Sequence, residues 1–367
     1  MAKRIPANGV AKTHNLPPNL GIDDRETRSE TEMAGTIFRR RGIRACRPWI
    51  RASNLSQPRL HLTLTKALAR THHVMQFTTL LALCGLAGAA SLQRVANFGA
   101  NPANVKMFVY VPDRLAANPA IVVAVHHCQG TASSFYGSTP YARLADQKGF
   151  VVVYPESPYQ GTCFDVSSRK TLTHDGGGDS NSIANMVKYA IAQYKADAKR
   201  VHLVGASSGA MMANVMAATY PELFQTVIAH SGVPAGCFMS ASGQVNGWNS
   251  SCANGQVRPS QAVWTKMARD MYPGYSGARP RMMIMHGGTD TTLHWNNYEE
   301  ALKQWRGVLG VADSATRTLQ NSPESGYTTT FYGGDGQLTA KVKGVWNPKY
   351  GHNIPIIGGD DMAFMGL

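Results

Sequence analysis

The chain has 367 residues, of which 43% are apolar and only 16% charged. That profile excludes a disordered or coiled-coil protein, and the absence of an apolar run of about eighteen residues excludes a multi-spanning membrane protein. The net charge of +14 is unevenly spread, because residues 1–74 carry 14 of the 36 Lys+Arg and only 5 of the 22 Asp+Glu. The remainder is mildly basic and shows no field suited to nucleic acid.

Residues 1–74 lack a sustained hydrophobic period and hold the triplet Arg39-Arg40-Arg41. They read as a disordered, Arg-rich extension outside the mature protein. An organelle-targeting role is opposed by Asp23, Asp24, Glu26, Glu30 and Glu32, and a nucleic-acid-binding arm lacks interleaved aromatics. Residues 75–90 then supply an apolar segment closing on Ala87-Gly88-Ala89, the pattern of a secretory signal with its cleavage site. The simplest account makes Met75 the true start and the protein secreted.

Residues 91–367 alternate strand and helix signals. Strands are expected at Lys106–Val111, Ile121–Val125, Phe150–Tyr154 (ended by Pro155), Val201–Val204, Thr226–Ala229 and Arg281–Met285. Several are continuous apolar runs, as in strands buried on both faces. Helices are expected at Ser180–Tyr194, capped by Asp179 or Ser180, at Ala210–Tyr220 and at Asn297–Val308. This rhythm predicts one α/β domain with a mixed, mostly parallel sheet and helices on both faces. Four cysteines, Cys128, Cys163, Cys237 and Cys252, fall in the mature region. Of their three pairings, Cys128–Cys163 with Cys237–Cys252 closes the shortest loops. Asn249-Ser250-Ser251 is an N-glycosylation sequon.

Gly205-Ala206-Ser207-Ser208-Gly209 matches G-x-S-x-G between a strand and a helix. A sharp turn there lifts the Ser207 hydroxyl above the sheet edge and aims the helix N-terminus at a developing oxyanion. Serine needs a base, and the base needs an orienting acid; in α/β-hydrolases the chain order is Ser, acid, His. Asp290 follows the Arg281–Met285 strand, and His352 sits in a Gly351-His352-Asn353 loop beyond it. His230 precedes the acid, while His286 and His294 flank it too closely to serve as the base. The oxyanion donors should be the amide of Ser208 and a second amide from the His126-His127-Cys128-Gln129-Gly130 loop after Ile121–Val125. No metal or cofactor is expected: His126-His127 lacks a third ligand, no C-x-x-C occurs, and Asp175–Asp179 fits neither an EF-hand nor a P-loop.

Beyond these patterns, His126-x-Cys128-x-Gly130, Tyr154-Pro155 and Gly161-Thr162-Cys163-Phe164-Asp165 resemble the fungal acetylxylan esterases of carbohydrate esterase family 1. So do His174 to Ser180, Gly205 to Met212 and Ser231 to Cys237. That family is related to polyhydroxybutyrate depolymerase-like esterases and some feruloyl esterases. The resemblance implies a secreted, cofactor-free α/β-hydrolase acting on acetylated xylan, with Ser207, Asp290 and His352 as its triad and the amides of Cys128 and Ser208 as its oxyanion donors; a monomer is expected. It also implies Trp248 as an aromatic lining the substrate site. Feruloyl esterase activity, or an inactive carbohydrate-binding relative, are the alternatives. The tannase-type feruloyl subgroup is disfavoured, since Ala206, Ser208, Gly351 and Asn353 stand where it has cysteines beside the nucleophile and histidine.

Overall fold

A computed structural model describes residues 90–367. The expected extension 1–74, and all but Ala90 of the expected export segment 75–90, lie outside the described residues.

Ten strands form one sheet: β1 (Gln93–Val95), β2 (Lys106–Tyr110), β3 (Ile121–Val125), β4 (Val151–Glu156), β5 (Val201–Ala206), β6 (Thr226–His230), β7 (Arg281–Gly287), β8 (Arg317–Gln320), β9 (Thr328–Tyr332) and β10 (Val342–Asn347). Their spatial order is β1-β2-β4-β3-β5-β6-β7-β10-β9-β8. The strands from β4 to β10 run parallel, and antiparallel strands close both edges. This is the mixed, mostly parallel α/β sheet expected.

The helices are α1 (Ala132–Ser138), α2 (Tyr141–Lys148), α3 (Asp179–Tyr194), α4 (Ser208–Thr219), α5 (Ser250–Ala253), α6 (Gln261–Arg269), α7 (Asn296–Leu309) and α8 (Gly358–Met365). Because successive strand residues point to opposite faces, β3 contributes Ile121, Val123 and Val125 to one core and Val122 and Ala124 to the other. The first core packs α3, α4, α6 and α7 through Met186, Met212, Trp264 and Trp305. The second packs α1, α2 and α8 through Phe135, Tyr141, Leu144 and Phe364. Every residue of α4 is buried, as a helix with apolar residues on all its faces requires, and its polar Asn214 is bonded to Val233 O and Trp305. Each fully buried aliphatic or aromatic side chain in these layers stabilises the fold by roughly 1.5–3 kcal/mol.

Two expectations change. β4 does not stop at Pro155; it begins at Val151 and runs to Glu156, with Pro155 opposite Met107 of β2. β3 pairs with β4 only as far as Val153, so the missing proline N–H interrupts no bond on that side. Helix α3 is not capped by Asp179 or Ser180, which are its first residues; Gly178 is the N-cap and offers no side chain. A Cβ there would stand 2.3 Å from Thr171 Oγ1, and that same hydroxyl accepts from the Asp179 amide at 3.1 Å. A threonine from another segment thus does the capping.

Both disulfides form as expected, Cys128–Cys163 with Cα atoms 4.2 Å apart and Cys237–Cys252 at 5.8 Å. Among the described residues no helix is long and apolar enough to cross a membrane.

Candidate active site

The site is built at the C-terminal edge of the parallel strands. β5 ends at Ala206 and α4 starts at Ser208, which leaves Ser207 alone at the turn with φ 53° and ψ −117°. A non-glycine residue in this region is strained and persists only where its surroundings over-determine it. The turn is tight enough to demand glycine on either side. A Cβ on Gly205 would lie 2.1 Å from Gly209 O, and one on Gly209 would lie 2.1 Å from Val125 O. The Ser207 amide donates to His230 O at 2.9 Å and fixes the turn to β6.

Ser207, Asp290 and His352 come together from three distant segments. His352 Nδ1–H donates to Asp290 Oδ2 at 2.8 Å, and His352 Nε2 accepts from the Ser207 hydroxyl at 2.8 Å. The carboxylate beyond Nδ1 selects this tautomer, since it can only accept. Asp290 is 1% exposed and lies just past β7. Its Oδ1 accepts from the amides of Thr292 and Leu293 at 2.9 and 3.0 Å. Burial would push this carboxyl up, but hydrogen bonds from His286 and His352 outweigh it and hold the pKa far below the usual carboxylate range. Asp290 is therefore held in its ionised form.

His286 was passed over as a base because it lies close to the acid. It does not contact Ser207, yet its Nε2 is 3.0 Å from Asp290 Oδ2 and 2.9 Å from Leu293 O. Both partners are acceptors, so Nε2 must carry the proton. The same four-residue spacing that argues against a base lets His286 hold the Asp290 carboxylate.

The amides of Cys128 and Ser208 have no acceptor among the described residues. That of Ser208 is the first of a helix, where N–H groups lie beyond intrahelical reach. The Cys128 backbone is in the loop after β3, where the next residue, Gln129, has φ 60°. His126 in this loop is buried, which lowers its pKa. Its Nε2 accepts from the Ser157 amide at 3.2 Å and its Nδ1–H donates to His127 O at 2.7 Å, so it is a neutral structural group.

Two clefts meet at Ser207 and His352. One of about 310 Å³ is lined by Cys128, Met211, Trp248 and Leu293 among others. The other, about 470 Å³, is lined by Phe135, Pro140, His230 and Ile354 among others. Trp248 is 60% exposed and packs edge-to-face on Phe238 at 5.1 Å. Asn249 caps α5: its Oδ1 accepts from the Cys252 amide at 3.0 Å and its Nδ2 donates to Cys237 O at 3.2 Å. A larger groove of about 710 Å³ lies by the first residue of β7, Arg281, at the opposite end of the sheet, and its lining holds no carboxylate or imidazole. The chemistry therefore lies with the two smaller clefts. Among the described residues no group of three or more His, Cys, Asp or Glu is arranged to hold a metal ion.

Comparisons with known proteins agree with this architecture. The family model described as Esterase PHB depolymerase matches residues 106–323. "Probable acetylxylan esterase A" of Aspergillus fumigatus is 55% identical over 278 residues, covering 76% of this chain and 73% of that one. "Acetylxylan esterase A" of Talaromyces purpureogenus is 54% identical over 280 residues, covering 76% of this chain and 72% of its own. The solved structure of an acetyl xylan esterase from Aspergillus awamori superposes with a TM-score of 0.73 at 53% identity, over 75% of this chain and 99% of that one. On the matched span, on this identity and on a shared α/β sheet, the chain belongs to the polyhydroxybutyrate depolymerase-type esterase family, together with the acetylxylan esterases A, and is a carboxylic ester hydrolase.

Proposed function

We propose that this enzyme removes acetyl groups from acetylated xylan through an acetyl-serine intermediate. The observation that carries the mechanism is the continuous hydrogen-bonded line from the Ser207 hydroxyl through His352 to Asp290. Neutral His352 takes the hydroxyl proton as Ser207 Oγ bonds to the acetyl carbonyl carbon. The carbonyl oxygen becomes an oxyanion and is received by the amides of Cys128 and Ser208, a contact typically worth roughly 3–4 kcal/mol per donor. The C–O bond to the sugar breaks, and the imidazolium returns its proton to the departing sugar oxygen. Water, deprotonated by His352, then attacks the acetyl-serine; acetate leaves and Oγ regains a proton. Asp290 remains ionised throughout and stabilises the imidazolium formed in each half.

Trp248, at the mouth of the smaller cleft, offers an apolar face to a sugar ring. The esterase domain lies within residues 91–367. The export signature at residues 75–90, with two disulfides that an oxidising compartment sustains, supports secretion, and Asn249 would then be open to glycosylation through its remaining amide N–H.

The test compares acetate release from acetylated xylan with ferulate release from a methyl ester, for the wild type and Ser207→Ala. Fast acetate and negligible ferulate release, with acetate lost by orders of magnitude in the variant, is the expected result. Dominant ferulate release would transfer the assignment to a feruloyl esterase, and a fully active Ser207→Ala would end the serine mechanism.

A further inference from the structure

The two proposed oxyanion amides belong to elements far apart in the chain, the β3–α1 loop and the start of α4. Neither donates to an acceptor among the described residues. Their separation must be fixed by something else, because a donor misplaced by about 1 Å forfeits much of its effect on the transition state.

One step of a third segment touches both. Cys163 is covalently joined to Cys128. The next residue, Phe164, donates its buried amide to Ser208 Oγ at 2.7 Å. This segment is itself fastened on both sides of that step. Ser157 Oγ donates to Cys163 O at 2.7 Å, and the Gln129 amide donates to Gly161 O at 2.7 Å. Thr162 Oγ1 donates to Gly130 O at 2.8 Å, and the Asp165 amide donates to the buried Asp179 carboxylate at 2.9 Å. The backbones flanking the disulfide both adopt left-handed conformations that β-branched or long side chains resist, with φ 60° at Gln129 and 50° at Thr162. Such conformations survive where the neighbouring structure enforces them.

We propose that Cys163 and Phe164 are positioning residues that clamp the Cys128 and Ser208 amides at the spacing an acyl-transfer oxyanion requires. The inference rests on the assignment of those two amides made above. It distinguishes the two disulfides by their chemical effect. Cys128–Cys163 governs the rate of bond making at the carbonyl. Cys237–Cys252 closes the loop that carries Trp248 and touches neither amide, so its loss acts on sugar binding and stability.

The experiment uses Cys128→Ser/Cys163→Ser, which removes the covalent half of the clamp, and Ser208→Ala, which keeps the disulfide and the Ser208 amide but orphans the Phe164 N–H. Each is assayed on an aryl acetate and on the matching thionoacetate, whose sulfur is a larger and weaker acceptor. Both variants are expected to lose roughly tenfold or more in kcat, with KM within about twofold, and to lose much of the wild-type preference for the oxygen ester. Cys237→Ser/Cys252→Ser should keep that preference. The clamp is overturned if either folded variant retains wild-type kcat, or loses rate with the oxygen-over-sulfur preference intact. If the doubly substituted protein fails to fold, Ser208→Ala decides alone. A wild type indifferent to the exchange of oxygen for sulfur would remove the amide assignment itself, a failure read without any variant.

Discussion

His286 Nε2 stands 3.0 Å from Asp290 Oδ2, the same oxygen that His352 reaches from the other side at 2.8 Å. Asp290 is thereby held between two imidazoles, with its other oxygen on two backbone amides. His286 is fully buried and its Nδ1 has no partner among the described residues, so its contribution is a single N–H shared between Asp290 and Leu293 O. Replacing it with leucine removes one of the four hydrogen bonds that hold the carboxylate and leaves the Leu293 carbonyl without that donor. His286→Leu should lower kcat roughly tenfold, with little change in KM. His286→Gln, whose terminal amide reaches the position of Nε2, should recover most of the loss. Equal kcat losses in both variants would refute the hydrogen-bond role.

The role proposed for Asp290 makes a sharper demand. Asp290→Asn preserves the acceptor for the Thr292 and Leu293 amides through its remaining oxygen. It can also present an N–H to His352 and select the wrong tautomer. kcat should fall by roughly 10³–10⁴ while the melting temperature moves little. Activity within tenfold of wild type would exclude Asp290 as the orienting acid.

Trp248 is exposed and supported chiefly by Phe238. Trp248→Ala should raise KM for acetylated xylo-oligosaccharides roughly two- to tenfold, the range of an aromatic stacking contact. KM for a small aryl acetate, and the melting temperature, should stay near wild type. A matching rise on the small ester would show that the ring contacts the acyl group and not the sugar.

Acid stability has an identifiable source in the sheet. His202 on β5 is fully buried, its Nδ1 in contact with Thr226 Oγ1 at 2.8 Å. Burial, with Arg281 and Arg200 nearby, drives its pKa down to about 3. In the unfolded chain the same imidazole takes a proton near pH 6.5. The unfolded state therefore binds the extra proton as pH falls from about 6.5 toward 3, and stability drops across that window by up to about 1.4 kcal/mol per pH unit. His202→Asn, which keeps a group at the Nδ1 position, should flatten the melting-temperature profile between pH 6.5 and 4. An unchanged slope would place the acid sensitivity elsewhere.

Where the sequence was readable, the physics was local. Val201–Val204 and Ile121–Val125 announce themselves because parallel strands covered on both faces admit little but aliphatics. Ser207 announces itself because two glycines are needed where backbones approach as closely as Gly209 does to Val125. Asp290 followed from its place after the Arg281–Met285 strand, and His352 from its Gly-His loop beyond that acid. β8, β9 and β10 were not legible. Thr328–Tyr332 alternates weakly in polarity, and β10 carries Lys343, which reads as a surface residue. In the folded protein that lysine is fully buried and bonded to Asp360, a partner 17 residues away that no window on the strand includes. The clamp at Cys163 and Phe164 was hidden for the same reason, since a cysteine pair signals a closed loop and says nothing of what the loop grips.

The order of the sheet carries a consequence for how such a molecule comes into being. The imidazole trails the hydroxyl by 145 residues, and β10, the strand that launches it, slots between β7 and β9, both earlier in the chain. A polypeptide emerging from a ribosome thus contains the proposed nucleophile before the proposed base has been made. On the triad proposed above, hydrolytic competence waits on that last strand, and a chain clipped before it lacks the proposed base.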